Sequence, residues 1–141
     1  MATQTERDRL ISILGFSRSN RRTFADLIRD GFPVSSFTAV SKYTSVPQDR
    51  LSFVINSRTL QRRIAKADPK LDVDESDKLF RVARIYALAE KVLGSAENAR
   101  TWMNTSNRSL DNARPFDLLS TEAEAREVED ALGRIANGVF A

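Results

Sequence analysis

The residue types best suited to recognition chemistry lie between positions 57 and 66. Arginine can donate paired hydrogen bonds to phosphate oxygens or guanine edges, and glutamine can pair with adenine. Leu60, Ile64 and Ala67 recur beside them at helical spacing, which predicts a helix over residues 57–67 with one apolar face. An ordinary solvent-exposed basic helix remains the alternative. The candidate DNA-binding residues are Ser57, Arg58, Thr59, Gln61, Arg62, Arg63 and Lys66.

A second candidate site is the C-terminal end, where an apolar tip with a terminal carboxylate follows Gly138. Phenylalanine can fill an apolar cleft of a partner, and a carboxylate can pair with arginines that would otherwise hold phosphates. The alternatives are that Phe140 folds back on its own helix, that the end frays, and that Arg134 is simply solvated. The candidate partner-binding residues are Arg134, Asn137, Gly138, Val139, Phe140 and Ala141.

Catalysis is the weaker interpretation because the 141 residues contain no histidine and no cysteine. These absences exclude a thiolate nucleophile, a histidine base, a disulfide framework and a zinc site of the usual nitrogen and sulfur type. Acidic residues are frequent between Glu122 and Asp130, but their spacing spreads them around the predicted helix, and the first of them favour the helix dipole. We therefore predict a protein that is not an enzyme, with no catalytic residues, no metal site and no cofactor.

The net charge of +3 averages two differently charged parts. Residues 1–72 carry 13 Lys and Arg against 7 Asp and Glu, whereas residues 73–141 carry 9 against 12. A basic half is typical of nucleic-acid-binding proteins. We predict an N-terminal helical region over 1–72 and a C-terminal domain over 73–141.

No stretch approaches the roughly 20 apolar residues of a membrane span, and the first residues do not resemble a signal peptide, which predicts a cytoplasmic protein without membrane contact.

Helical periodicity recurs along the chain, and strand-like alternation is scarce, which predicts an all-α fold of about eight short helices. The longest apolar stripe runs from Leu79 to Leu93. The predicted helix ends are Gly15, Gly31, Gly94 and Gly138, and the predicted N-caps are Ser36, Ser45, Ser95 and Thr121, with capping boxes at 45–48 and 121–124. Tyr86, Trp102 and Phe116 lie on apolar faces and are predicted core residues.

Two of the predicted helices form a candidate helix-turn-helix. The first covers residues 46–55, and the second is the basic helix over 57–67. The turn of this motif usually contains a glycine, whereas Val54 occupies the corresponding position here. Because a β-branched residue resists positive φ, either the turn differs or the first helix ends later, at Asn56.

Residues from about 74 onward resemble a known family in order and spacing. The segments are Glu75–Arg84, Ala99–Met103, Leu110–Leu119 and Leu132–Phe140. Together they resemble the toxin-binding domain of the Xre/MbcA/ParS antitoxins of RES-type toxin–antitoxin systems. Upstream, residues 58–63 resemble the end of the Xre-type helix-turn-helix that precedes this domain. Glu124 and Asn112 depart from the family pattern because a glycine is common at both positions.

The resemblance implies that the N-terminal region and the C-terminal domain have different functions. The N-terminal helices would dimerise the antitoxin and bind operator DNA for autorepression. The C-terminal domain would bind a RES-domain toxin, which consumes NAD or uses it for ADP-ribosylation, and would cover its NAD pocket with the C-terminal end. The expected partners are this toxin, operator DNA and a second copy of the chain within a hetero-oligomer. The alternative is a helix-turn-helix transcription regulator whose C-terminal domain only mediates oligomerisation.

Overall fold

The computed structural model describes residues 4–138, which form α-helices joined by short 3-10 helices and turns. The α-helices are α1 Gln4–Leu14, α2 Phe24–Asp30, α3 Val34–Thr44, α4 Ser57–Ile64, α5 Val73–Leu93, α6 Ala96–Met103 and α7 Glu122–Ala136, and the 3-10 helices are Gln48–Leu51, Arg108–Leu110 and Pro115–Leu118. Within the described residues, β pairing is limited to two isolated bridges. The predicted all-α class is therefore confirmed. None of the helices in this described part is both long enough and apolar enough to span a bilayer.

Most of the predicted helix ends are confirmed because they depend on local signals. The glycines at the four predicted ends, Gly15, Gly31, Gly94 and Gly138, all have positive φ, which a residue without a Cβ adopts readily. Ser95 Oγ accepts a hydrogen bond from the Asn98 N–H at 3.0 Å and caps α6. Thr121 Oγ1 accepts from the Glu124 N–H at 3.2 Å and caps α7.

The predicted N-caps at Ser36 and Ser45 are wrong. α3 begins at Val34, so that Ser36 is buried inside the helix, and Ser45 ends the same helix in the left-handed conformation with φ of 58°. The Val46 N–H donates to Ser41 O at 3.2 Å, and Ser41 Oγ donates to Val46 O at 2.6 Å. Both backbone groups of residue 46 are thus bonded to α3, which leaves no capping box to start a new helix there.

The chain divides into two compact units, Met1–Ala83 and Arg84–Ala141, and the division falls inside α5. The boundary predicted between residues 72 and 73 coincides instead with the start of that helix. The first turns of α5 belong to the N-terminal unit because Ser76 Oγ accepts the Phe32 N–H at 2.9 Å. In addition, the Phe80 and Phe24 ring centroids lie 4.9 Å apart.

The N-terminal unit has an apolar core to which α1, α3, the first 3-10 helix and α5 all contribute. Leu14, Phe37, Leu51 and Leu79 are among its fully buried side chains. Removing side chains of this size from water stabilises the fold by about 1.5–3 kcal/mol each. This core holds the chain immediately upstream of α4.

In the C-terminal unit, α7 packs against the 3-10 helices at Arg108–Leu110 and Pro115–Leu118. Arg84 pairs with two carboxylates of α7, Glu122 at 2.9 Å and Glu129 at 3.1 Å. Asn112, at a position where the family commonly has glycine, has φ of 66°. Asparagine is one of the few non-glycine residues that tolerates this conformation, which explains how the turn forms without glycine.

The segment after α2 pairs with the segment before α5. The Leu71 N–H donates to Phe32 O at 2.8 Å, and Pro33 and Lys70 form an isolated antiparallel bridge. Asp30 accepts from Lys70 Nζ at 3.2 Å. The hydrogen bond from Lys70, and after it the one from Arg22, lowers the pKa of the exposed Asp30 carboxyl.

Replacing Gly31 tests whether this pairing supports the fold. Gly31 has φ of +92°, and a Cβ at this position would lie 2.4 Å from Leu71 O. We expect Gly31→Ala to lower the free energy of unfolding by about 3 kcal/mol because both the backbone angle and the close approach oppose a side chain. Urea unfolding followed by circular dichroism measures the change.

The matched control for that variant is Gly133→Ala. Gly133 lies inside α7, and a Cβ there would meet no atom within 4 Å. We expect this substitution to stabilise the protein by about 1 kcal/mol through helix propensity. Equal stability of Gly31→Ala and the wild type would contradict the role given to Gly31.

Candidate DNA-binding and partner-binding surfaces

The basic helix α4 begins after Asn56, whose side chain caps it. Asn56 has extended backbone angles, and its Oδ1 accepts the Thr59 N–H at 2.9 Å. This bond satisfies one of the N–H groups that a helix N-terminus leaves free. Val54 is not among the residues with positive φ. The turn therefore differs from the glycine-containing form, as Val54 had indicated, and Asn56 forms the break.

The α-helix predicted over residues 46–55 is wrong. The structure has a 3-10 helix at Gln48–Leu51, followed by a turn in which the Val54 N–H donates to Leu51 O at 2.9 Å. Bonds of this i to i+3 type wind the chain more tightly than an α-helix does. The apolar side chains of this segment are nevertheless buried as predicted: Leu51, Val54 and Ile55.

The predicted apolar face of the basic helix is confirmed only at Leu60, which is buried. Ile64 is 50% exposed, and Ala67 is also exposed. Ala67 is exposed because α4 ends at Ile64 rather than at residue 67. The turn after Ile64 takes Ala67 off the face that Leu60 shares with the core.

The candidate DNA-binding residues of this segment are exposed to different degrees. Ser57, Arg58, Gln61, Arg62 and Lys66 are exposed, whereas Thr59 and Arg63 are half-buried. Arg62 donates to Thr59 Oγ1 at 3.3 Å, and Lys66 lies in the turn beyond the helix. The exposed side chains offer guanidinium, ammonium and amide donors to a ligand approaching α4 from solvent.

Arg63 differs from the rest of that set because its guanidinium is bound within the protein. It pairs with Glu75 through both carboxylate oxygens, with Nη2 at 3.3 Å from Oε2 and Nη1 bonded to Oε1. Nη1 also donates to Lys70 O at 3.0 Å. The side chains of Arg63 and Glu75 are 22% and 13% exposed. This ion pair joins α4 to the start of α5.

Glu75 is the structurally important residue that the sequence interpretation overlooked. Asp72 Oδ1 accepts the Glu75 N–H at 2.8 Å, and Glu75 Oε1 accepts the Asp72 N–H at 2.8 Å. This reciprocal arrangement is a capping box at the start of α5. The Asp-x-x-Glu spacing of residues 72–75 is a sequence signal for this helix start. The apolar stripe that predicts the helix begins only at Leu79 and therefore gives no indication of Glu75.

The C-terminal candidate site is described only in part. The structure describes Arg134, Asn137 and Gly138, whereas Val139, Phe140 and Ala141 lie outside the described residues. The Asn137 N–H donates to Gly133 O at 3.0 Å and the Gly138 N–H to Ile135 O at 3.1 Å, which closes the last turn. Asn137 and Gly138 are both exposed. The predicted end of α7 at Gly138 is therefore confirmed.

Arg134 lines a cleft of about 360 Å³ within the C-terminal unit. The other lining residues are Ser109, Leu110, Asp111, Ala113, Leu118, Glu127 and Asp130. Arg134 thus shares the cleft with three carboxylates above apolar side chains. Charged groups in such a cleft can orient a partner that carries complementary charges.

Tyr86 and Phe116 are core residues as predicted, but the prediction for Trp102 is confirmed only in part. The Trp102 side chain is half-buried and lines a shallow cleft of about 400 Å³ with residues of α5 and α6 such as Leu93 and Asn98. Tryptophan is frequent at protein interfaces because one large side chain combines apolar area with a hydrogen-bond donor. The apolar periodicity of α6 gave no sign that this side chain is only half-buried.

Comparison with known proteins agrees with this two-part arrangement. Residues 23–84 match the antitoxin Xre-like helix-turn-helix domain, and residues 88–138 match the antitoxin Xre/MbcA/ParS C-terminal toxin-binding domain. An antitoxin Xre of Pseudomonas putida is 37% identical over 114 residues, which cover 79% of this chain and 69% of that protein. An antitoxin Xre of Yersinia enterocolitica is 32% identical over 130 residues, which cover 90% of this chain and 87% of that protein. The chain therefore belongs to the Xre/MbcA/ParS family of antitoxins, with a helix-turn-helix domain followed by a toxin-binding domain.

Proposed function

We propose that this antitoxin neutralises a cognate RES-domain toxin by covering the toxin's NAD pocket with its C-terminal end, without catalysis of its own. The observation that carries the proposal is the position of the toxin-binding match. It ends at residue 138, where α7 closes with Asn137 and Gly138 both exposed. The next two residues of the sequence, Val139 and Phe140, are apolar, as an insertion into a partner's cleft requires.

The surface next to that end supports the same proposal. Arg134 lies in the last turn of α7 and shares a cleft with Asp111, Glu127 and Asp130. Charged groups at an interface fix the orientation of the partner and suppress wrong partners. In the proposed complex, Phe140 contributes apolar contact inside the pocket, while Arg134 and Asn137 form polar contacts at its rim.

The N-terminal domain is proposed to bind operator DNA as a homodimer and to repress the operon that encodes the two proteins. The exposed Arg58, Gln61, Arg62 and Lys66 support this role, together with the match to an Xre-like helix-turn-helix. Two copies of α4 would read two half-sites about one helical turn apart. We assign the complex to the cytoplasm, where both DNA and NAD are present.

The alternative function is a transcription regulator whose C-terminal domain serves only for oligomerisation. The same exposed residues of α4 favour this regulator function, but the function does not explain the presence of a toxin-binding domain. The two functions predict different activities of a toxin that is mixed with this protein. Only the antitoxin proposal predicts loss of toxin activity.

Co-expression with the toxin tests the proposed function. The reading frame beside the gene for this chain is expected to encode a RES-domain protein, and inducing that protein alone is expected to lower cellular NAD and arrest growth. Expressing the full-length antitoxin together with it should restore both. Growth arrest that persists although the antitoxin is present at equal or higher level would overturn the proposal.

A further inference from the structure

Arg63 lies on α4 beside exposed arginines, but it occupies a different environment. Arg62, its neighbour in sequence, is exposed to solvent, whereas Arg63 is 22% exposed and donates to the Glu75 carboxylate and to Lys70 O. N–H groups that already donate to these acceptors cannot donate to a phosphate at the same time. The contacts therefore direct the Arg63 charge toward the protein and away from a ligand on the outer face of α4.

The partner of Arg63 is itself held in place. Glu75 completes the capping box with Asp72, and Asp72 Oδ2 lies 3.7 Å from Arg63 Nη2. An arginine–carboxylate pair with two contacts is directional as well as attractive. Because the pair is largely shielded from solvent, removing one partner leaves the other charge without compensation. The C-terminal end of α4 is consequently bound to a rigid point at the start of α5.

The N-terminal end of α4 is fixed separately by the Asn56 cap, with Oδ1 at 2.9 Å from the Thr59 N–H. Leu60 contributes the buried contact between these two ends. Leu60 is the only residue of this eight-residue helix that is buried, so apolar packing alone does little to fix its direction. The Arg63–Glu75 ion pair is therefore a principal determinant of how Arg58 and Gln61 are presented to solvent.

We propose that Arg63 is a positioning residue for DNA recognition rather than a DNA contact. The Arg63–Glu75 ion pair orients α4 so that the exposed side chains of Arg58 and Gln61 reach base edges in register. This inference rests on the proposed DNA-binding function. It removes Arg63 from the candidate DNA-binding residues and adds Glu75, which is acidic and would otherwise be expected to oppose DNA binding.

Comparing the affinity for operator DNA with the affinity for random-sequence DNA distinguishes a positioning role of Arg63 from a phosphate contact. Non-specific affinity and its salt dependence follow the number of phosphates that the protein neutralises. Specific affinity also requires the geometry of the base contacts. A positioning residue therefore affects the ratio of operator affinity to random-sequence affinity, whereas a phosphate contact affects both affinities and the salt dependence.

The experiment compares operator DNA from the upstream region of the operon with a scrambled duplex, using the full-length chain. The variants are Arg63→Ala, Glu75→Ala and the double variant, at a temperature where circular dichroism shows each to be folded. We expect each single variant to weaken operator binding about tenfold, and the double variant to weaken it no further, because both remove the same interaction. Binding to the scrambled duplex and the salt slope should stay unchanged.

Conservative variants separate positioning from overall stability. Glu75→Gln keeps one acceptor oxygen, which can still accept from Arg63 Nη1 and the Asp72 N–H, but it loses the second oxygen and the negative charge, so it should lose less operator affinity than Glu75→Ala. Arg63→Lys keeps the positive charge but lacks the planar fork, so positioning predicts weaker operator binding, whereas a phosphate contact predicts nearly normal binding. These two variants also serve if an alanine variant does not fold.

Several outcomes would overturn the inference while the proposed function stands. They are tighter operator binding by Glu75→Ala, a salt slope lower by about 0.9 in Arg63→Ala, or additive losses in the double variant. Failure of the wild type to prefer operator DNA over the scrambled duplex would overturn the proposed DNA-binding function, and the inference with it.

Discussion

Deleting Val139–Ala141 is expected to abolish inhibition of the RES-domain toxin while leaving the antitoxin folded. These residues follow Gly138, and the hydrogen bonds that close α7 come from Asn137 and Gly138, which the deletion retains. We therefore expect the thermal unfolding midpoint to remain that of the wild type. NAD turnover by the toxin should return to within about twofold of its uninhibited rate, because covering the pocket requires the missing apolar residues.

The control for the deletion is a single substitution on α7, away from the C-terminal end of that helix. Arg126→Ala alters an exposed residue of α7 that does not line the cleft of Arg134. It is expected to inhibit the toxin as the wild type does. Full inhibition by the truncated chain would show that the C-terminal end does not cover the pocket.

The second large effect is expected from Arg58→Ala combined with Arg62→Ala. Both arginines are exposed on α4, and neither pairs with a carboxylate within the described residues. The double variant should bind operator DNA about 100-fold more weakly, and the slope of log affinity against log salt should fall by about 0.9 for each of the two arginines that neutralises a phosphate; an arginine that pairs with a guanine lowers the affinity without this change in slope. Fluorescence anisotropy across a salt series measures both quantities.

A variant of equal charge change controls for the loss of positive charge itself. Replacing Arg126 and Arg134 of α7 by alanine removes the same net charge from the toxin-binding domain. We expect this variant to keep the wild-type salt slope. Operator affinities and salt slopes that are equal for all three proteins would mean that Arg58 and Arg62 do not contact DNA.

Signals that act over one turn of chain were predictable from the sequence. Gly31 and Gly94 end α2 and α5, and Ser95 and Thr121 cap α6 and α7. Both signals are local, because a positive φ or a hydroxyl three residues before a free N–H needs no information from the rest of the fold. The same reasoning failed at Ser45. The serine, proline and glutamine of residues 45–48 match a capping box, but hydrogen bonds from the preceding helix to Val46 compete for the same stretch.

The role of Arg63 was not predictable from residue type. An arginine among arginines on a basic helix indicates a surface charge, and only the fold brings Glu75, twelve positions away in sequence, within hydrogen-bonding distance. The cleft of Arg134 is a second example. Asp111 lies in the loop after the 3-10 helix Arg108–Leu110, and only the fold brings it into the same cleft as Arg134 of α7. The sequence shows which residues carry charge, but only the tertiary structure shows which of those charges remain available to a partner.

If the C-terminal end of the antitoxin covers the NAD pocket, antitoxin and NAD compete for the same site on the toxin. Isothermal titration of the full-length antitoxin into the RES-domain toxin, repeated at increasing concentrations of a non-hydrolysable NAD analogue, tests it most directly. Competition predicts that the apparent Kd of the antitoxin rises in proportion to the analogue concentration once this exceeds the analogue's own Kd. An apparent Kd that stays constant while the analogue saturates the toxin would contradict the claim.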